Sequence, residues 1–174
     1  MNLILFDQNR KQLLPFTYTR PISEFRCGIL TLKEKWEKRF PAAQVSFLTE
    51  DYLSKKYAVS YADVNYYINA SLLADSSLAE AIFALNENEA LYSENETQLL
   101  AFKSSKKLVF DELDVSGFGK ISYTNDFLFI ENMWDIFSLN AAALEADFEL
   151  LTEGRDSEKL DVTCTHIGDR LFIE

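Results

Sequence analysis

Short apolar runs alternate with amphipathic stretches through the first half of the chain, and that alternation predicts the architecture. Leu3–Phe6 is a continuous apolar run ending in Asp7-Gln8-Asn9, the pattern of a buried central strand that passes into a loop. From Ile29 the apolar positions Ile29, Leu32, Trp36 and Phe40 recur at helical spacing while Lys33, Glu34, Glu37 and Lys38 face away, which predicts a helix closed by Pro41. Val45, Phe47 and Leu48 predict a second strand, Thr49-Glu50-Asp51 the capped start of a short helix through Tyr57, and Tyr66-Tyr67-Ile68 a third strand. Ser77-Leu78-Ala79-Glu80 fits a capping box opening a helix that buries Leu78, Ala81, Ile82 and Leu85. Strands alternating with helices imply a mostly parallel sheet covered by helices.

The second half reads differently. Ala90–Tyr92 and Leu99–Phe102 flank the polar Ser93-Glu94-Asn95-Glu96 and predict a hairpin. Leu108–Phe110 and Phe127–Ile130 are further strand candidates, with Gly117 and Gly119 marking a turn between them. Met133–Leu151 has the clearest helical period, with Phe137, Ala141, Leu144, Phe148 and Leu151 on one stripe and Gly154 as its stop. Residues 7–28 carry Pro15, Pro21 and Gly28 and no period, so they predict a long loop at the carboxyl end of the first strand. Such loops often carry function.

Composition narrows the class. With 174 residues, 48% of them hydrophobic, the chain suits one domain with one core. Seventeen Lys and Arg against 28 Asp and Glu give a net charge of -11, and no basic run exceeds two residues. A polyanion needs clustered cations, so no nucleic-acid partner is expected, whereas a small phosphorylated ligand, held by a few N–H groups or one Arg, is compatible. The apolar start meets Asp7 at once and reads as a strand, not a signal peptide, and no stretch nears the roughly 18–20 apolar residues of a membrane span. Cys27 and Cys164 stand alone and read as free thiols of a reducing cytoplasm, with no zinc spacing. The expected location is cytoplasmic, without a membrane partner.

Several residues are candidates for chemistry, each with two readings. Asp7 ends the first strand, where open α/β sheets place ligands, or it fixes the turn. Arg20, between Thr19 and Pro21, can grip a phosphate bidentately or pair with Asp7. Thr17 and Thr19 can donate hydroxyls to a ligand or bond nearby backbone. Asn69 ends the third strand with the same ambiguity as Asp7. Asp135 suits the macrodipole at a helix start. His166 is the only histidine and has no catalytic partner in the sequence, and Trp36 and Trp134 read as core or interface anchors.

The run Leu13-Leu14-Pro15-Phe16-Thr17-Tyr18-Thr19-Arg20-Pro21 resembles the second half of the signature of sugar-1-phosphate nucleotidyltransferases, in a matching position after a first strand and before a helix. With Gly28-Ile29-Leu30-Thr31-Leu32-Lys33-Glu34-Lys35-Trp36 and Trp134-Asp135-Ile136-Phe137, the whole chain resembles a bacterial family of shortened GlmU-like enzymes. The resemblance implies an α/β, Rossmann-like mixed, mostly parallel sheet of the nucleotide-diphospho-sugar transferase type over residues 1–155. Residues 156–174 would be a linker and the start of a left-handed β-helix, with Ile167-Gly168 and Ile173 as a first hexapeptide rung. That rung would be a strand with an exposed apolar edge, folding back on the domain or joining copies into a homo-oligomer. The implied activity transfers a nucleotidyl group from a nucleoside triphosphate to a sugar 1-phosphate with Mg²⁺.

Departures from the signature alter the expectation. Asp7-Gln8-Asn9-Arg10-Lys11-Gln12 contains no Gly, although the enzymes use successive glycines so that N–H groups approach phosphates. Aligned on Pro15, the usual Gly-Thr-Arg falls on Arg10-Lys11-Gln12, the usual Lys falls on Ile22, and Asn69-Ala70-Ser71 replaces the metal-binding acid, so no metal-ligand set is assigned. Arg10, Lys11 or Arg20 could supply the missing positive charge. The expectation is a domain that binds nucleotide or sugar phosphate at the ends of the first and third strands and is catalytically degenerate. The alternative is a non-catalytic scaffold for a C-terminal β-helix acyltransferase.

Overall fold

The computed structural model describes residues 1–168 and 170–174. Six strands, β1 (Asn2–Phe6), β2 (Gln44–Leu48), β3 (Asn65–Asn69), β4 (Glu89–Ser93), β5 (Leu99–Ser104) and β6 (Gly119–Tyr123), form one sheet in the order β2-β1-β3-β5-β4-β6. The helices are α1 (Leu32–Arg39), α2 (Asp51–Ser54), α3 (Ser76–Phe83), α4 (Asp135–Ser138) and α5 (Asn140–Thr152). β1 pairs in parallel with β2 and β3, β5 runs antiparallel to both β3 and β4, and β6 is parallel to β4. The two reversals around β5 cancel, so β1, β2, β3, β4 and β6 all end at one edge of the sheet.

All five residues of β1 are buried, as its unbroken apolar run requires of a strand covered on both faces. Leu3 and Leu5 join a core with Trp36 of α1, Leu78 and Ile82 of α3 and Ala143 of α5. Ile4 and Phe6 enter a second core with Leu48, Tyr67 and Phe102, roofed by Leu108, Phe110, Leu113, Val115 and Phe118. There Phe102 stacks on Tyr67 with ring centroids 4.5 Å apart. Each such buried side chain is worth about 1.5–3 kcal/mol, so the sheet is held from both sides.

Local chemistry moves several element boundaries from their expected places. α1 begins at Leu32 because Thr31 and Glu34 form a reciprocal capping box, leaving Ile29 outside the helix and exposed. The cap of α3 is Asp75, whose carboxylate accepts the Leu78 N–H at 2.8 Å; Ser77 instead donates its hydroxyl to Asp75. Thr49 does not cap α2 but turns to Asp7. Leu108–Phe110 leads into a single 3₁₀ turn over Phe110–Glu112, and Phe127–Ile130 contributes only the bridge between Leu72 and Phe129. The sixth strand lies instead at Gly119–Tyr123, four of whose five residues are exposed, as an edge strand permits.

The helix expected over Met133–Leu151 divides into α4 and α5, and its apolar stripe is not its buried face. Phe137 is 83% exposed and Leu144 is exposed, while Ala143 and Asp147 are buried. Asp147 accepts the N–H groups of Ile29 and Leu30 at 2.8 and 2.9 Å and pairs with buried Lys35. Gly28 makes this docking possible: its φ is +87°, and a Cβ there would stand 2.5 Å from Asp147 Oδ2 and 2.8 Å from the Ala143 carbonyl. Trp36 is a core residue, as expected, whereas Trp134 is 64% exposed.

No strand forms over Ile167–Ile173 among the described residues, and Asp169 of the expected rung lies outside them. Ile167 is fully exposed. The tail folds back: Ile173 donates its N–H to Ser157 Oγ and accepts the Glu158 N–H, both at 3.0 Å, while Arg155 lies 4.8 Å from the Phe172 ring centroid.

Candidate functional site

The strand order places β1 between β2 and β3, so the chain leaves β1 for β2 on one side and then crosses back to β3 on the other, and a crevice is expected where β1 and β3 end. Phe6 pairs with Asn69 at that point, which brings Asp7 and the residues after Asn69 together.

Asp7 is fully buried. Its Oδ1 accepts the Ile22 N–H at 3.0 Å, its Oδ2 accepts the Thr49 hydroxyl, and Arg10 Nη1 lies 3.8 Å from Oδ2. Burial pushes its pKa up to about 6, against the pull of those two hydrogen bonds and of the Arg10 charge. Asp7 thus ties β1 to β2 and to the far part of its own loop, at a desolvation cost that its partners only partly offset.

Arg10 is 5% exposed, unusual for a loop arginine. Its Nη2 donates to the Thr17 carbonyl at 2.8 Å and to the Tyr52 hydroxyl, and its Nε lies 3.3 Å from Glu50. Thr17 closes the ring by donating its hydroxyl to the Arg10 carbonyl at 2.7 Å. The loop therefore folds around its own cation. A guanidinium with its donors so engaged has little capacity left for a phosphate.

Asn69 is also buried and engaged. Its Nδ2 donates to the Leu99 carbonyl at 2.9 Å and to Gln8 Oε1 at 3.2 Å, and its Oδ1 accepts the Ser71 N–H at 3.1 Å. These residues do not fit the Mg²⁺ that the signature implies: the Asn69 oxygen is turned to its own backbone, and both Asp7 oxygens receive protein donors. No group of three His, Cys, Asp or Glu positioned to hold a metal occurs among the described residues.

The remaining sequence candidates lie elsewhere. Lys11 is exposed. Thr19 and Arg20 are exposed and line a cavity of about 350 Å³ with Pro15, Phe16, Phe25, Arg26 and Ile136. Asp135 accepts the N–H groups of Glu131 and Asn132 at 3.0 and 2.7 Å, closing the turn before α4. The loop thus unites Asp7, Arg10 and Thr17, reaches Asn69 through Gln8, and leaves Lys11, Thr19 and Arg20 apart.

A feature the sequence did not reveal lies at the same sheet edge, past the ends of β4 and β6. A cavity of about 550 Å³ is lined by Ser93, Glu94, Asn95, Thr97 and Gln98 from one turn and by Tyr123 to Phe127 and Glu131 from another segment. Its hydroxyls, carboxamides and carboxylates, with Tyr123 and Phe127, can hydrogen-bond and pack against a polyhydroxylated ring. Only the polar runs 93–98 and 124–126 hint at it in sequence.

Residues 3–156 match the sugar nucleotidyl transferase family, and the chain belongs to that family. Its mixed six-stranded sheet with flanking helices is the α/β fold of nucleotide-diphospho-sugar transferase-like domains. No curated protein sequence matches it significantly. No helix among the described residues is long and apolar enough to cross a membrane.

Proposed function

We propose that this domain binds a nucleotide or sugar phosphate at the carboxyl edge of its sheet and does not itself transfer the nucleotidyl group. One contrast carries the reading: at that edge the signature-loop cation Arg10 is enclosed by Asp7, Thr17, Glu50 and Tyr52, while the polar cavity beyond β4 and β6 is open. Nucleotidyl transfer depends on positive groups that meet the charge developing as pyrophosphate leaves. A stowed guanidinium and a glycine-free loop withhold them, whereas the hydroxyls, carboxamides and carboxylates of the cavity retain the means to hold the sugar ring of such a ligand. Mg²⁺ in this reading arrives with the triphosphate rather than resting on a carboxylate of the chain.

The test pairs calorimetry with a turnover assay. A nucleoside triphosphate with Mg²⁺, or a hexose 1-phosphate, should bind saturably and raise Tm, since a ligand selective for the folded state stabilises it. Pyrophosphate release from the two together should stay at the rate without protein. Steady pyrophosphate release would overturn the degenerate reading, and an unchanged Tm with no heat of binding would overturn ligand binding altogether. The second outcome favours a scaffold for a C-terminal β-helix, a reading supported by the exposure of Trp134, at the start of α4, and of Phe137 within it.

A further inference from the structure

The cavity between the long loop and α4 has a composition unlike the rest of this acidic molecule. Two arginines, Arg20 and Arg26, line its 350 Å³ together with Thr19, Pro15, Phe16, Phe25 and Ile136, and among the described residues no carboxylate does. The chain as a whole carries a net charge of -11. Arg20 makes no hydrogen bond or ion pair with any of the described residues, so none of its donors is taken up by them. Arg26 donates to the Ile29 carbonyl and has Glu34 Oε2 at 3.7 Å, contacts that fix one side of its guanidinium. Phe16 and Phe25 meet edge to face with centroids 6.2 Å apart, and Phe16 is half exposed.

We infer that this cavity is a binding site for a phosphate monoester carried on a single flat ring. Two planar guanidiniums and the Thr19 hydroxyl offer the donors that a dianionic phosphate requires, and guanidinium forks suit its oxygens better than point charges do. The exposed Phe16 ring supplies an apolar and quadrupolar surface against which a flat ring packs. The volume lies at the lower end of the range for small-molecule pockets, about 300–1,000 Å³, which fits one ring and one phosphate rather than a dinucleotide. The site does not rest on the carboxyl-edge reading, because none of its lining residues belongs to a strand end or to the 550 Å³ cavity.

Its walls come from two parts of the chain. The loop provides all of the lining except Ile136, which α4 contributes. The Ile136 carbonyl accepts from Cys27 Sγ at 3.6 Å, and Asn140 Oδ1 accepts the Gly28 N–H at 2.8 Å. A ligand in the cavity therefore bridges the loop and the terminal helices and reinforces contacts already made there.

Calorimetry on the full chain with phenyl phosphate, inorganic phosphate and phenol as probes tests the proposal. Phenyl phosphate should bind more tightly than inorganic phosphate, and phenol should give no measurable heat. The exposed pair Arg20→Ala and Arg26→Ala, made together, should weaken phenyl phosphate by about tenfold or more, the loss expected from charge-assisted hydrogen bonds. Phe16→Ala should bring phenyl phosphate down to the affinity of inorganic phosphate. Asp126→Ala, in the other cavity, should leave phenyl phosphate binding unchanged, so the two sites succeed or fail separately. Absence of phenyl phosphate binding in the wild type, equal affinity in the double variant whose Tm matches wild type, or no preference over inorganic phosphate would each overturn the proposal. Should the double variant be destabilised, Arg20→Glu alone decides: it should abolish binding, and retained binding would refute the site.

Discussion

Two buried carboxylates, Asp7 and Asp147, hold the two ends of the long loop in opposite ways. Asp147 pairs directly with Lys35 and accepts two backbone N–H groups, so its charge is met on every side it presents to the protein. Asp7 has one N–H, one hydroxyl and an arginine 3.8 Å away that is shared with Thr17, Tyr52 and Glu50. Burial raises the Asp7 pKa to about 6. The contrast teaches that burial alone does not decide how firmly a carboxylate fastens its neighbours; the number and charge of donors within reach do.

The largest expected effect breaks the firmer of the two. Asp147→Ala leaves the Lys35 ammonium buried without a counter-charge and should cost about 3–5 kcal/mol, read as a lower denaturant midpoint. A cost below about 1 kcal/mol would mean that α5 is not fastened through this pair. Lys35→Met, which leaves Asp147 its two N–H donors, should cost less than Asp147→Ala, and the reverse order would refute the weight given to those donors. Next comes Arg10→Ala, which removes the centre of the loop and should cost about 1.5–3 kcal/mol, the range for hydrogen bonds that involve a charged group. If nucleotide affinity fell while stability stayed unchanged, Arg10 would be a ligand group and not a loop anchor.

The third effect sharpens the comparison through pH. A carboxyl whose folded pKa lies above its unfolded value holds a proton in the native state that the unfolded chain has already lost. Between about pH 4 and 6, therefore, the Asp7 contribution to stability falls as pH rises, and above about 6 its burial penalty is fully present. Asp7→Asn removes this dependence. The variant's Tm minus that of wild type should climb across that window and then level off, by a few degrees in all. A difference independent of pH would show that Asp7 titrates normally. The smallest effect is that of exposed Lys11→Ala, which should stay within about 0.5 kcal/mol.

What could be read from sequence follows from how far each determinant reaches along the chain. β1 was legible because every one of its residues is buried, and α1 because its apolar period is local. Even there the start slipped by a few residues, since the period of Ile29 continued past the Thr31–Glu34 box that ends it. β6 carries no apolar alternation because it is an exposed edge, so nothing local announced it. The stripe of Phe137 and Leu144 misled because Asp147 outweighs it: a paired acid and the close approach that Gly28 allows decide which face of α5 is inward. At the site, Asp7 was legible as a strand end, but the inward turn of Arg10 depends on Thr49, Glu50 and Tyr52, about 40 residues away. The cavity past β4 and β6 exists only once those two strands pair.

The antiparallel β5, wedged between β3 and β4, also divides the molecule for anyone who wishes to alter it. The turn at 94–98 opens on the edge that holds the cavity, whereas residues 105–118 leave from the far end of β5 and return to the start of β6 at the opposite edge. Graft libraries placed in the first turn would therefore rewrite the lining of that cavity. A tether or reporter spliced at the exposed Lys106-Lys107 would hang from the back of the sheet, remote from the residues that line the cavity.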